Sequence, residues 1–510
     1  MSVGQQLPSE PRQSIFRPRL WLQNCLWKHH TELCGTAADG MPRSLPKRLI
    51  CIGNNQDQTR LIDDFGGKTV PYLALSYCWG PSGHITTKLN NYKNHLRSIP
   101  WQALPATYRD AIDFVRAIGY RYIWIDALCI IQDDLDDWNS EAARMGDIYG
   151  EAILVISAAN ANHVGFGFLN ERSGSRTFKN KLQKGPGDPT HILVQEPTIH
   201  GNILGDPSLE QQWPVFRRAW TLQERLLATR LVHFAAGEII WECATTCACE
   251  CGHLEAVDAV TSRKRYDLSS LDGLKVVERA NRWDELVLSY QSRHITKDKD
   301  RLSALSGLAA RFQCEHLGRY VAGLWSNFIL SMLLWEAKKG RRASEYVAPS
   351  WSWASCQGRL IRNDAIEHNS KFQAVLEEAY SEPSTADPYG AIIPQSGFIR
   401  LSSPTMEGVV VRSTLNGHPM IQLTPGLQAF LVSDVHLTDS QIGGTVKCMF
   451  LRGLEAGPSG RYVEALILNV SKNLVDYERL GVAHIRNHSF DEDQSLRKQL
   501  PLVLETIKVI

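Results

Sequence analysis

Three short apolar runs separated by helical patterns dominate residues 45–160. The run YLALSYCWG at 72–80 is followed by Pro81, and Gly-Pro predicts a buried strand that stops at a loop. The runs YIWI at 122–125 and AILVIS at 152–157 predict two further buried strands. Because the runs are continuous and not alternating, we expect a parallel sheet that helices cover on both faces.

Helical spacing connects these runs. Apolar residues recur at intervals of three and four from Tyr108 to Ile118, and Gly119 is placed to end that helix in a left-handed conformation. A second helix is predicted from Trp138 to Tyr149. Ligands of such sheets bind beyond the carboxyl ends of the strands, where Asp126 and the loop after Trp79 are expected.

Composition divides the rest of the chain into segments with different expected structures. Residues 160–206 are rich in Gly, Pro and Asn and predict an irregular excursion, while WTLQERLL predicts a helix before a hairpin made of RLVHF and EIIWEC. We expect an N-terminal Cys/His-containing segment at 1–44, a first domain at 45–255, a helical region at 256–380, a linker at 381–397 and a β-rich region at 398–510, with antiparallel patterning.

Charge and hydropathy argue against nucleic acid and membranes as partners of this protein. The 510 residues carry 55 Lys and Arg against 54 Asp and Glu, a net charge of +1 that offers no basic surface for nucleic acid or an anionic membrane. No run approaches the roughly 20 apolar residues of a membrane span, so we expect a cytoplasmic protein whose 12 cysteines are thiols or metal ligands.

Glu141 is the most informative acid. On the predicted helix it shares a face with Trp138, Met145 and Tyr149, and a carboxylate among such residues needs a raised pKa or a dedicated partner. The alternative is a Glu at the edge of the buried stripe that pairs with Arg144.

Two further groups of polar residues are candidates. Asp126 directly follows four apolar strand residues, and is either a buried acid that holds a loop or a carboxylate that faces a ligand. In WTLQERLL, Trp220, Gln223 and Glu224 share one helical face and could form a hydrogen-bonding wall, or simply bury Trp220. The acids at 133–137 are expected mainly to cap the helix that follows.

Cysteine and histidine cluster in two places. The C-terminal group is Cys243, Cys247, Cys249, Cys251 and His253, and the N-terminal group is Cys25, His29, His30 and Cys34. Tetrahedral zinc could be assembled from the two groups together, although buried thiols are the simpler explanation. The chain has no Walker P-loop, GxGxxG, GxSxG or HExxH motif.

The order of the motifs resembles the fungal heterokaryon-incompatibility (HET) domain family. The matching pieces are PKRLICIG, YLALSYCWG, YRYIWIDALCIIQDDLDDW, MGDIYGEAILVISA and RAWTLQERLLATRLVHF, and the resemblance covers roughly residues 20–370. This family is implicated in non-self recognition and programmed cell death, and is thought to be remotely related to TIR domains, whose flavodoxin-like sheet can cleave NAD.

The resemblance implies a TIR-like parallel core with HET-specific insertions and NAD as a substrate. Glu141 would be catalytic, with Asp126 and Glu224 as further acids. The ligand-binding residues implied are Ser76, Tyr77 and Trp79 in SYCWG, Trp138, and Arg218, Trp220 and Gln223 in RAWTLQE. Trp79 or Trp138 would stack on nicotinamide.

Two other functions fit the same residues. The cleft could serve a tailoring enzyme that acts on a small molecule of secondary metabolism, with Asp126, Glu141 and Glu224 as acid and base. Alternatively the domain could be a non-enzymatic signalling module that forms homo-oligomers or binds a partner protein.

Overall fold

A computed structural model describes residues 11–28, 34, 41–54, 58–80, 83–170, 177–184, 188–195, 213–252, 254, 268–362, 364–414, 417–453, 462–486 and 500–510. The chain divides into two compact units, Met1–Asp272 and Gly273–Ile510.

The first unit is built from an eight-stranded sheet and short helices. Its helices are α1 (Phe16–Lys28), α2 (Tyr92–His95), α3 (Ala106–Ala117), α4 (Asp126–Cys129), α5 (Leu135–Ala143), α6 (Met145–Glu151) and α7 (Trp220–Leu227). Its strands are β1 (Leu49–Cys51), β2 (Arg60–Ile62), β3 (Leu73–Ser76), β4 (Tyr122–Trp124), β5 (Leu154–Ser157), β8 (Arg230–Phe234), β9 (Ile239–Cys243) and β10 (Cys247–Cys249). A separate antiparallel hairpin, β6 (Thr177–Lys184) and β7 (Asp188–Gln195), lies in the predicted irregular excursion.

The sheet is mixed, with parallel strands only at its centre. The strand order is β10-β9-β8-β5-β3-β4-β1-β2. Neighbours among β8, β5, β3 and β4 are parallel, whereas β1 and β2 on one side and β9 and β10 on the other are antiparallel. The three predicted strands, together with β8, therefore form the parallel centre, and antiparallel strands flank it on both sides.

Helices cover both faces of this sheet. Trp21 of α1 packs on Trp241, and Phe114 of α3 packs on Phe234 with ring centroids 5.2 Å apart. On the other face Tyr149 of α6 contacts Trp124, and α7 packs against α6 and β3. Every residue of β3 and β5 is buried, as expected for strands with helices on both sides.

Two helix predictions have different outcomes. Gly119 follows α3 with a φ of +93°, so the predicted left-handed stop is confirmed. The single helix predicted from Trp138 to Tyr149 is wrong, because α5 and α6 meet at Arg144, whose ψ of −2° interrupts the helical backbone. Arg144 also donates from its guanidinium to the Leu45 carbonyl, 2.7 Å away.

The second unit combines helices with a large antiparallel sheet. Its helices are α8 (Val276–Gln291), α9 (Ser306–Phe312) and α10 (Ile329–Met332). Its strands are β11 (Tyr320–Val321), β12 (Leu324–Trp325), β13 (Glu336–Arg342), β14 (Cys356–Ile361), β15 (Val375–Tyr380), β16 (Phe398–Arg412), β17 (Pro419–Thr424), β18 (Leu427–Ser433), β19 (Thr445–Arg452), β20 (Tyr462–Val470), β21 (Tyr477–Arg486) and β22 (Val503–Val509). Residues 381–397, which the sequence predicts to be a linker, connect β15 to its antiparallel neighbour β16.

A buried ion pair lies inside this second unit. Arg479 donates from Nε and Nη2 to the two carboxylate oxygens of Asp434, at 2.8 and 2.9 Å, and both side chains are almost fully buried. The guanidinium carbon lies 3.6 Å from the ring centroid of Trp335. The charge of Arg479 is therefore neutralised on one side and covered by an aromatic ring on the other.

Candidate functional site

The carboxyl ends of the central strands bring the predicted motifs together. Ser76 is the last residue of β3, Asp126 begins α4 directly after β4, and Ser157 ends β5. Ser76 and Ser157 are paired in register on neighbouring parallel strands. Because the chain leaves β3 toward β4 on one side and β5 lies on the other, this edge is where a ligand-binding crevice forms in such sheets.

Asp126 holds the loop that follows β3. Its Oδ1 accepts hydrogen bonds from the Tyr77 hydroxyl at 2.6 Å and the Ala127 amide at 2.7 Å, and its Oδ2 accepts from the indole of Trp79 at 2.7 Å. Since Tyr77 uses its proton on Asp126, Tyr108 donates to the Tyr77 oxygen, 2.8 Å away. These contacts match the loop-holding alternative, and they also fix the indole of Trp79 at the rim.

Gly80 lets the chain turn directly after Trp79. Its φ is +73°, and a Cβ built there would lie 2.2 Å from the Cβ of His163. Glycine is thus required at the end of the SYCWG motif for both backbone and packing reasons.

Glu224 of α7 is a buried carboxylate that titrates near neutrality. Burial raises its pKa to about 7, while Arg218 and a hydrogen bond with Ser76 lower it and the charge of Asp126 raises it. Its side chain is buried, and its Oε2 has no hydrogen-bond partner among the described residues. A carboxyl group in this state can accept or release a proton at neutral pH.

Arg218 supplies the positive charge of the site. It is half-buried just before α7 and donates from its guanidinium to the Tyr77 carbonyl. Burial opposes its charge, but the carboxylates of Glu224 and Asp126 outweigh this effect and raise its pKa. Arg218 therefore acts as the shared counter-ion of the two acids.

Further polar atoms face the same side of the sheet as Glu224. Trp124 is registered with Ala74, two residues before Ser76, and Ser76 with Ser157, so the three side chains point to one face. In the described part of the chain, the Trp124 indole nitrogen and the Ser157 hydroxyl have no hydrogen-bond partner, although both residues are buried. A polar ligand at this edge would satisfy donors and acceptors that the protein does not satisfy itself.

The remaining predicted residues of α7 are buried or lie beside α5. Both amide atoms of Gln223 are buried without a hydrogen-bond partner among the described residues. Trp220 is half-buried and packs edge-to-face on Trp138 of α5, with ring centroids 6.3 Å apart. Helix α5 itself begins at a cap in which Asp134 accepts from the amides of Asp136 and Asp137, as predicted.

Glu141 lies in a basic environment of its own. It is fully buried, neither oxygen has a hydrogen-bond partner among the described residues, and Arg144 is 3.6 Å away. Burial raises its pKa, and the charges of Arg144, Arg48 and Lys47 oppose that rise. Thus the structure brings Ser76, Tyr77, Trp79, Asp126, Arg218 and Glu224 together, while the charged neighbours of Glu141 are a different set.

Sequence patterns did not reveal two of the aromatic residues at this site. Tyr108 and Tyr149 lie on the apolar faces of α3 and α6 and were expected to be core. The Tyr108 hydroxyl continues the chain of hydrogen bonds to Asp126. The Tyr149 hydroxyl donates to the Leu75 carbonyl, 3.0 Å away, and burial and the nearby charge of Glu224 raise the pKa of Tyr149. The only signal is general, since a buried tyrosine hydroxyl must find a polar partner.

The cysteines form two groups in the structure, and one of them combines cysteines from both of the clusters seen in the sequence. The sulfurs of Cys243, Cys25 and Cys34 lie within 4.8 Å of one another. Cys249 and Cys251 form a second group with Glu238, while Cys247 packs in a small apolar cluster with Cys249. His253, His29 and His30 lie outside the described residues.

Within the parts of the chain that are described, no helix is both long and apolar enough to cross a membrane.

Comparison with known families identifies the region that contains this site. Residues 72–224 match the model of the family described as Heterokaryon incompatibility protein (HET). This part of the chain is similar to the HET domain. The match begins at Tyr72, just before β3, and ends at Glu224, so the matched region includes every acid and aromatic residue of the site but excludes Cys243.

Part of this chain is similar in sequence to a curated relative. The chain is similar to Heterokaryon incompatibility protein 6, OR allele, of Neurospora crassa, with 27% identity over 200 residues. The similarity covers 32% of this chain and spans 28% of the length of that relative. No solved structure matches the chain significantly.

Proposed function

We propose that this chain acts in fungal non-self recognition, and that its HET domain binds and cleaves an NAD-type nucleotide at the edge between β3 and β5. The observation that carries the proposal is Glu224, a buried carboxyl with a pKa of about 7 and an oxygen without a hydrogen-bond partner among the described residues. The relative's name supports the biological part, since that protein is a heterokaryon incompatibility protein.

The topology supports a flavodoxin- or TIR-like core. Numbered along the chain, the parallel strands β3, β4, β5 and β8 are the first to fourth, and they lie side by side in the order 2-1-3-4. This order is the start of the flavodoxin-like order 2-1-3-4-5, whose ligand binds where strands 1 and 3 separate. In this chain that position is the pair Ser76 and Ser157, of which Ser76 lies beside Glu224.

Glu224 would serve as the general base of the cleavage. The bond between the ribose C1′ and the nicotinamide nitrogen breaks, its electron pair leaves with neutral nicotinamide, and a water oxygen bonds to C1′. The proton released by that water passes to Glu224, which is ionised in a large fraction of molecules at neutral pH. The products are ADP-ribose and nicotinamide.

The other residues would position the ligand. Asp126 fixes the rim through Tyr77 and Trp79, whose half-exposed indole offers a stacking surface for a planar ring. Arg218 would bind an anionic phosphate, since a guanidinium can donate two parallel hydrogen bonds to it. We assign Glu141 a positioning role on α5, because its charged neighbours, which are mainly basic, lie outside the Asp126–Glu224 group.

The direct test is nicotinamide release from NAD by the purified full chain. We expect release by the wild type and a loss of at least about 100-fold in Glu224→Gln, the effect typical of a general base. Glu464→Gln is the matched control, because Glu464 is equally buried at 4% exposure but belongs to the second unit.

Four outcomes would contradict the proposal or one part of it. Absence of release by a folded wild type argues against NAD cleavage, and equal release by Glu224→Gln argues against its role. Loss in Glu141→Gln with full activity in Glu224→Gln would assign the chemistry to α5. Incompatibility between fungal strains that persists with the inactive variant would separate non-self recognition from catalysis.

A further inference from the structure

We propose that Cys25, Cys34 and Cys243 bind one zinc ion that fastens α1 to the sheet of the first unit. All three side chains are at most 1% exposed, and their sulfurs lie within 4.8 Å of one another. None of the three is in a disulfide. Sulfurs that bind one tetrahedral zinc ion at about 2.3 Å are about 3.8 Å apart, so a small inward movement completes the site.

The fold brings the three thiols together from distant parts of the chain. Cys25 lies on the buried side of α1 with Leu22, and Cys34 follows that helix. Cys243 is the last residue of β9 and is registered opposite Arg230 on β8. Trp21 of α1 packs on Trp241, which is two residues from Cys243 and therefore on the same face of the sheet.

Each sulfur has a hydrogen-bond donor. The Thr246 amide donates to the Cys243 sulfur at 3.3 Å, and Nε of Arg230 donates to the Cys25 sulfur at 3.2 Å. The Thr245 hydroxyl lies 3.2 Å from the Cys34 sulfur and can donate to it. Donors of this kind stabilise thiolates and orient metal ligands, so the surroundings match those of a metal site.

The positive charge of Arg230 favours three thiolates bound to zinc over three uncharged thiols. Its side chain is 2% exposed, and within the described part of the chain no carboxylate lies within ion-pair distance. A buried guanidinium requires a negative partner. Three thiolates around one divalent zinc carry a net charge of minus one, which Arg230 neutralises.

This charge balance also specifies the fourth ligand. An additional thiolate or carboxylate would leave an uncompensated negative charge in the interior, so the fourth position fits a neutral imidazole or a water molecule. Among the described residues, no further Cys, His, Asp or Glu joins the three sulfurs. The three thiols lie apart from the Glu224 group, so the zinc is a structural ion in this proposal and takes no part in NAD cleavage.

Metal analysis of the full chain tests the proposal. We expect about one zinc per chain after purification without chelators, and loss of that ion in Cys34→Ser and Cys243→Ser. Cys129→Ala, which removes an equally buried thiol of the same unit, and Cys251→Ser, which alters the second cysteine group, should both retain it. A wild type without zinc, or variants that keep it, would overturn the assignment.

A second measurement remains informative if the serine variants do not fold. In the wild type, zinc should protect Cys25, Cys34 and Cys243 from alkylation until a chelator is added, and mass spectrometry reads each cysteine separately. Cobalt in place of zinc should give the absorption of a tetrahedral, thiolate-rich site. A disulfide between two of the three cysteines, or alkylation that a chelator does not change, contradicts metal binding.

Discussion

Replacement of Glu224 by glutamine should make the first unit more stable at high pH. Burial raises the pKa of Glu224 from 4.5 to about 7 in the folded protein. Between these values the folded state holds a proton that the unfolded state has lost, so stability falls as pH rises through this window. Glutamine is isosteric with the protonated acid and does not have this ionisation cost.

The size of the effect follows from the pKa. A rise from 4.5 to about 7 corresponds to about 3 kcal/mol, since each pH unit is worth about 1.4 kcal/mol. The difference in unfolding free energy, variant minus wild type, should therefore be constant below pH 4.5. It should increase by about 3 kcal/mol up to pH 7 and remain level above that, while the contributions of other titrating groups cancel.

Urea denaturation followed by tryptophan fluorescence at several pH values measures this difference. Glu377→Gln, which changes an exposed acid on β15, is the control and should follow the wild type throughout. A difference that does not change between pH 4.5 and 7, or that decreases, would refute the assignment of Glu224 as a buried acid with a raised pKa.

Three further substitutions test other parts of the structure. Tyr77→Phe removes a hydroxyl that donates to Asp126, and thermal denaturation should show a loss of about 1–3 kcal/mol. Gly80→Ala adds a Cβ in strained backbone, so we expect a loss of at least about 1–3 kcal/mol and reduced soluble yield. Arg479→Met leaves Asp434 buried without its main counter-ion and should destabilise the second unit by about 3–5 kcal/mol. The double variant Arg479→Met with Asp434→Leu should recover much of this lost stability. A double variant as unstable as Arg479→Met would contradict the ion-pair explanation.

The centre of the fold could be predicted because its strands are continuous apolar runs. Strands β3, β4 and β5 are each buried on both faces, which local sequence reports directly. By contrast, β2 is three residues long with only one of them buried, so its sequence has no continuous apolar run. Together with β1, β9 and β10 it makes the expected parallel sheet a mixed one. The break at Arg144 depends on a contact with Leu45 that lies about a hundred residues earlier.

The candidate site was predictable in its residues but not in its grouping. Asp126 is visible because it directly follows an apolar strand run, and Glu224 is visible because it shares one helical face with Trp220 and Gln223. Their common counter-ion, Arg218, and the separate basic surroundings of Glu141 depend on contacts between distant segments, such as Arg48 beside Asp137. Periodicity gives the face of a helix, but it does not give the charge of the element that packs on that face.

The packing of α1 against β9 has a consequence for how the chain matures. Arg230 contacts Cys25 across a separation of 205 residues, and Cys243 lies still later in the chain. At a synthesis rate of roughly 5–20 residues per second, the surface that α1 needs emerges from the ribosome roughly 10–40 s after α1 itself. During that interval the exposed thiols of Cys25 and Cys34 and the apolar side of α1 have no native partner on β9. The packing of α1 on the sheet therefore cannot be completed until β9 has been synthesised, however early α1 itself forms.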